Sequence, residues 1–144
     1  MKTATDPVTL ANELRPTLLK LARHLRREVI DLGVTGGQVS LLVEVAHNPG
    51  IGISELADRE GVSRPRMSKA VDRLVTMGLV ERRRADDRRC VHLEATDEAK
   101  AILRSVKRRR TAWLAHRLEH LAPEELEALE RAAAPLARLL EAAR

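Results

Sequence analysis

Between Ser63 and Leu74 the chain reads Ser-Arg-Pro-Arg-Met-Ser-Lys-Ala-Val-Asp-Arg-Leu, which gathers the cations Arg64, Arg66, Lys69 and Arg73 with two hydroxyls. Cations and hydroxyls of this kind bind phosphate oxygens, and arginine and serine also reach the hydrogen-bonding edges of bases. On a 3.6-residue period Met67, Ala70, Val71 and Leu74 share one face. Arg64, Arg66, Ser68, Lys69, Asp72 and Arg73 fall on the faces left over. Ser63 fits the N-cap and Pro65 the first turn, where a missing N–H costs nothing; Gly78 suits the stop. The expectation is a short amphipathic helix with a basic, hydrogen-bonding polar face.

A second basic group follows. Arg82, Arg83, Arg84, Arg88 and Arg89 flank the polar turn Ala85-Asp86-Asp87, between candidate strands Leu79–Arg84 and Cys90–Leu93. Upstream, Ser54 is expected to cap a helix through Glu60 that buries Leu56 and Ala57, with Gly61-Val62 turning into the next helix. Two helices joined by so short a glycine-containing turn form a helix-turn-helix, whose second helix enters the major groove. Either basic group alone is more often a solvated charged face. A basic hairpin directly after a basic second helix is the layout of a winged helix-turn-helix, and it points to double-stranded DNA as the partner.

Other elements must position that unit. Asp6 or Thr5 can cap a first helix with Pro7 at its start, and Leu10, Leu14, Leu18, Leu21, Leu25, Val29 and Leu32 then recur at four- and three-residue steps. Pro16 is expected to bend or weaken that helix, and Gly33 to end it. Thr35 and Gln38 fit a capping box for a second helix burying Val39, Leu42, Val43 and Ala46, which stops at Asn48-Pro49-Gly50. After the hairpin, Thr96-Asp97-Glu98 opens a long helix marked by Ile102, Leu103, Val106, Trp113, Leu114, Leu118 and Leu121. Pro123 starts a last helix with Leu126, Leu129, Ala133, Leu136 and Leu140, in which Pro135 predicts a bend. The terminal stripes carry more apolar surface than one chain of this size hides, so a homodimer is expected, and two-fold symmetry suits a palindromic site.

Composition narrows the class. The 144 residues fit one domain with helical extensions, and 44% hydrophobic residues support a core. With no Phe or Tyr and one Trp, that core must be built from Leu, Val, Ile and Ala. The net charge of +5 suits an anionic partner, and a single cysteine excludes an intrachain disulfide framework. Neither a signal peptide nor a membrane-spanning run is apparent, so a cytoplasmic protein without membrane contact is expected.

With these residues in view, the chain from about Leu14 to Leu140 resembles the MarR family of bacterial transcription regulators. The resemblance rests on Ile53-Ser54-Glu55-Leu56-Ala57, Gly61-Val62-Ser63, Val71-Asp72-Arg73-Leu74, Met77-Gly78-Leu79-Val80-Glu81-Arg82, Asp87-Arg88-Arg89 and Thr96-Asp97-Glu98. It implies a dimer held by the first and last two helices, a recognition helix in the major groove and a wing arginine near the minor groove. By matching position, Ser63, Arg64, Arg66, Ser68, Lys69 and Arg73 are groove and phosphate contacts. Asp87 is the wing's orienting acid, and Arg88-Arg89, with Arg84 as an alternative, its reaching base. The wing tip is shorter than the common family pattern, and Ala122 stands where a capping Ser is frequent. Family members often bind small aromatic acids between the dimer helices and the winged domain, so a small-molecule effector of that kind is a further expected partner.

Other chemistry is poorly served. Cys90 opens a wing strand among arginines that would favour its thiolate, and a half-buried strand residue is the better reading. His116 and His120 lie one helical turn apart without a third ligand, and the glutamate that would follow the first histidine of a zinc protease is absent. His24, His47 and His92 have no neighbouring nucleophile, so neither catalysis nor a cofactor or metal is expected. The resulting expectation is a mainly α fold with a small β-wing. It divides into a dimerisation helix at 1–34, a winged helix-turn-helix at 35–95 and dimerisation helices at 96–144. It would act as a sequence-specific, ligand-responsive repressor; the alternatives are a non-specific architectural DNA binder and a helical protein-interaction module.

Overall fold

The computed structural model describes residues 4–84 and 91–141. Its elements are α1 (Pro7–Arg27), a 3-10 turn (Ile30–Leu32), α2 (Gly36–His47), α3 (Ile53–Glu60), α4 (Arg64–Thr76), β1 (Val80–Arg84), β2 (Val91–Ala95), α5 (Asp97–Leu118) and α6 (Pro123–Glu141). The expected mainly helical fold with a small β-wing is therefore observed. The chain divides into two units, Met1–Arg109 and Arg110–Arg144, and α5 runs across the division.

In the first unit α1 begins where Asp6 accepts hydrogen bonds from the Thr9 hydroxyl (2.7 Å) and backbone N–H (2.9 Å), which hold the Asp6 carboxyl below the usual range. Pro16 removes one backbone donor yet stays inside a single helical span, and no residue of α1 is buried. The helix gives way at Arg27, earlier than expected, and Gly33 at φ 80° closes the following 3-10 turn. The capping box that opens α2 is complete: Gln38 N–H donates to Thr35 Oγ1 at 3.1 Å, and Thr35 N–H donates to Gln38 Oε1 at 2.9 Å.

Two expectations need correction here. The buried residues of α2 are Val39, Leu41, Leu42 and Val45, whereas Val43 and Ala46 are half-buried. A helix at the centre of the unit, packed against β2, buries a broader face than one amphipathic stripe. Ser54 does not cap α3. Ile51 pairs with Leu93 (Leu93 N–H to Ile51 O, 2.9 Å), which delivers an extended Gly52 as the cap and starts the helix at Ile53.

The wing strands pair antiparallel, from Val80 with Ala95 to Arg84 with Val91. The bridge at Ile51 adds a third short edge to this hairpin. Leu42, Leu56, Met67, Leu74, Leu79 and Leu93 are the largest fully buried side chains, with valines filling the space between them. This is the aliphatic core that a chain without Phe or Tyr requires.

In the second unit Glu125 Oε2 accepts from Ala122 N–H at 2.9 Å, so the acid of a capping box serves α6 although its hydroxyl partner is absent. Pro135 also lies within one continuous helix. No residue of α6 is buried, and Leu126, Leu129, Leu139 and Leu140 are exposed. The Arg117 guanidinium stacks over Trp113, 4.8 Å from the ring centre. Among the described residues no single helix is long and apolar enough to cross a membrane.

Candidate nucleic-acid interface

The geometry of α4 is set from both ends and from below. Ser63, extended at φ −68° and ψ 154°, accepts from Arg66 N–H at 3.3 Å, and Pro65 occupies the first turn. Burial of Met67, Val71 and Leu74 fixes the helix's rotation about its own axis. That rotation leaves Arg64, Arg66, Lys69 and Arg73 exposed, with Ser68 half-buried among them. The first turn contains no acid. Among the described residues none of these four cations forms an ion pair. Arg66, Lys69 and Arg73 border a depression of about 550 Å³ floored by Leu41, Met67 and Ala70.

The far end of α4 is clasped by backbone and by one hydroxyl. Leu79 N–H donates to Leu74 O at 2.9 Å across Gly78, whose φ of 76° is left-handed and favours glycine. Thr96 Oγ1 donates to Gly78 O at 2.8 Å and accepts from Ala99 N–H at 3.2 Å. One threonine thus ties the end of α4 to the start of α5 while capping the latter. At the other side, Arg59 pairs with Glu55 (2.9 Å) and Glu44 (3.4 Å), joining α3 to α2. The Glu55 hydrogen bond leads in raising the Arg59 pKa above its usual value.

The arginines of β1 divide by role. Arg82 is paired with Asp72 of α4, and Arg83 bonds Glu94 of the partner strand (3.2 Å) and Glu81 (3.5 Å). These two therefore brace the hairpin rather than add free charge to it. Arg84, the last described residue of β1, is exposed. Asp87, Arg88, Arg89 and Cys90, expected at the wing tip, lie outside the described residues. The link between Asp72 and Arg82 escapes a reading by helical period, because its partners sit on different elements. Its signal is an acid and a base ten residues apart, bracketing the Gly78 turn.

The histidine pair at the end of α5 is exposed. His120 Nδ1 lies 2.8 Å from His116 O, and the two rings meet edge-on at 5.0 Å. Among the described residues no group of three or more His, Cys, Asp or Glu is placed to hold a metal.

This architecture has clear relatives. The MarR family model matches residues 32–89, which include α2, α3, α4 and β1. The HTH-type transcriptional regulator MT0903.1 of Mycobacterium tuberculosis is 31% identical over 125 residues, covering 86% of this chain and 87% of that protein. The HTH-type transcriptional repressor MdtR of Bacillus subtilis is 28% identical over 137 residues, covering 92% and 88%. The crystal structure of Streptococcus pneumoniae FabT in complex with DNA matches the fold with a TM-score of 0.73 at 21% identity, over 95% of this chain and 99% of that one. The basic α4, its braced hairpin and these likenesses place the chain in one family: it belongs to the MarR family of winged helix-turn-helix transcriptional regulators.

Proposed function

We propose that this regulator is a ligand-responsive repressor that binds a palindromic operator in double-stranded DNA as a homodimer. The observation that carries the reading is the outer face of α4, where Arg64, Arg66, Lys69 and Arg73 are exposed while the one acid of that helix, Asp72, is paired with Arg82. A helix so arranged presents an excess of positive charge and hydrogen-bond donors to the major groove. Arg66 and Ser68 touch bases, whereas Ser63, Arg64, Lys69 and Arg73 hold the flanking phosphates. Arg84, Arg88 and Arg89 serve the minor groove, with Asp87 orienting the wing turn. Residues 35–95 form the DNA-binding domain, and 1–34 and 96–144 supply the dimer helices. Exposed leucines on α1 and α6 support that division. The protein of this reading works in the cytoplasm and answers a small aromatic-acid effector. It represses by occupying DNA, which the names of the repressor MdtR and of the FabT complex with DNA support.

The test is a gel shift with the DNA upstream of the chain's own gene against random duplex of equal length. Preferential retardation of the upstream DNA is expected. Equal retardation of both would make the protein a non-specific architectural binder, and none would favour a protein-interaction module.

A further inference from the structure

A second basic cluster lies at the end of α1. Arg23, Arg26 and Arg27 border a depression of about 490 Å³ together with Ile30, Val34 and Thr35. Thr35 also borders the depression beside Arg66, Lys69 and Arg73 of α4. The two depressions therefore share one residue, and cations border both, with Glu60 the one acid lining the α4 side. Among the described residues Arg23, Arg26 and Arg27 form no ion pair; the nearby acid Asp31 is held instead by Arg109. The position of Arg26 is built rather than incidental. A Cβ at Gly36 would sit 2.8 Å from Arg26 Cγ and 3.1 Å from its Cβ, so the arginine stem lies flat on the first turn of α2 because residue 36 is glycine. Three cations grouped without an acid repel one another unless an anion joins them.

We propose that Arg23, Arg26 and Arg27 form a phosphate-binding extension of the DNA interface, gripping backbone beyond the segment read by α4. This rests on the DNA-binding reading given above. Duplex DNA fits because its phosphates form a continuous row of charge that can meet the cations of both adjoining depressions. Such interactions add affinity and salt dependence without sequence information.

The experiment measures the salt dependence of operator binding by the full chain and by the triple variant Arg23→Gln, Arg26→Gln, Arg27→Gln, which keeps much of each stem. The slope of log K against log salt should flatten by ~0.9 for each phosphate that is no longer neutralised, with the ratio of operator to random binding unchanged. Lysine at the same three positions should keep the slope. Trimming the duplex at both ends should erase the difference between wild type and the Gln variant. Gly36→Ala, which displaces Arg26 without removing charge, should flatten the slope partially. A Gln variant with an unaltered slope would overturn the proposal. So would an unaltered slope combined with loss of a thermal shift given by salicylate, which would make the cluster a site for small acids. If the wild type binds no DNA while keeping its cooperative thermal transition, the underlying DNA-binding reading fails, and the proposal with it.

Discussion

The core around α2 and α4 and the helices α1 and α6 are all rich in leucine, but they use it in opposite ways. Leu42, Leu56, Leu74 and Leu93 are wholly excluded from solvent. Neither α1 nor α6 buries a single residue, and Leu19 and Leu140 are 61% and 79% exposed. Hydrophobic burial is the main favourable term in folding. The winged unit therefore closes its own core, while the terminal helices keep apolar stripes available. Exposed leucines repeated along a helix suit an association face. Self-contained packing holds α4 still, and on the reading proposed above the open stripes serve to bring a second α4 to the DNA.

Substitutions can break this comparison, and the largest effect is expected in the core. Leu42→Ala should cost about 2–5 kcal/mol in urea denaturation, through reduced burial and the cavity left behind. Leu129→Arg, on α6, should instead keep the helical circular-dichroism signal and shift the sedimenting species toward monomer. If Leu129→Arg destabilises the chain as Leu42→Ala does, without changing association, the contrast between the regions is wrong.

Next comes α4 itself. Arg66→Ala should leave thermal stability nearly unchanged and cost about 1–3 kcal/mol of binding on the preferred operator, with discrimination relaxed there. Equal weakening on every duplex would make Arg66 a phosphate contact. Thr96→Ala removes the cap of α5 and the tie to Gly78, and should cost about 0.5–2 kcal/mol of stability. Thr96→Ser should recover most of it, a result read by chemical denaturation.

The smallest effect is electrostatic. The Arg109 hydrogen bond is the main cause that holds the Asp31 carboxyl below its usual pKa. A depressed folded pKa gives stability that is present above the unfolded value and lost as pH falls through the folded one. Asp31→Asn should therefore lose a little stability at neutral pH and show a shallower acid limb. The pair is exposed, so the difference should be slight and fade in salt.

Much of this was legible in the sequence. Helical period put Met67, Ala70, Val71 and Leu74 on one face of α4, of which Ala70 is only half-buried, and local capping chemistry at Asp6 (with Thr5 as the alternative), Thr35, Ser63 and Thr96 marked four helix starts. Both signals are carried by residues within one turn of each other. What escaped depends on distant partners. The start of α3 is set by the pairing of Ile51 with Leu93, so Ser54, though a good cap by type, lies inside the helix. The Asp72–Arg82 pair and the close fit of Arg26 on Gly36 likewise join separate elements. Pro16 and Pro135 look like interruptions by residue type, yet each sits within a continuous helix.

The most direct test of a self-contained reading unit carried by incomplete helices is sedimentation of the chain at micromolar concentration, alone and with a palindromic operator. A dimer that places two chains on one duplex, with half-sites about one helical turn apart, is expected. A stable monomer, alone and on the operator, would contradict it.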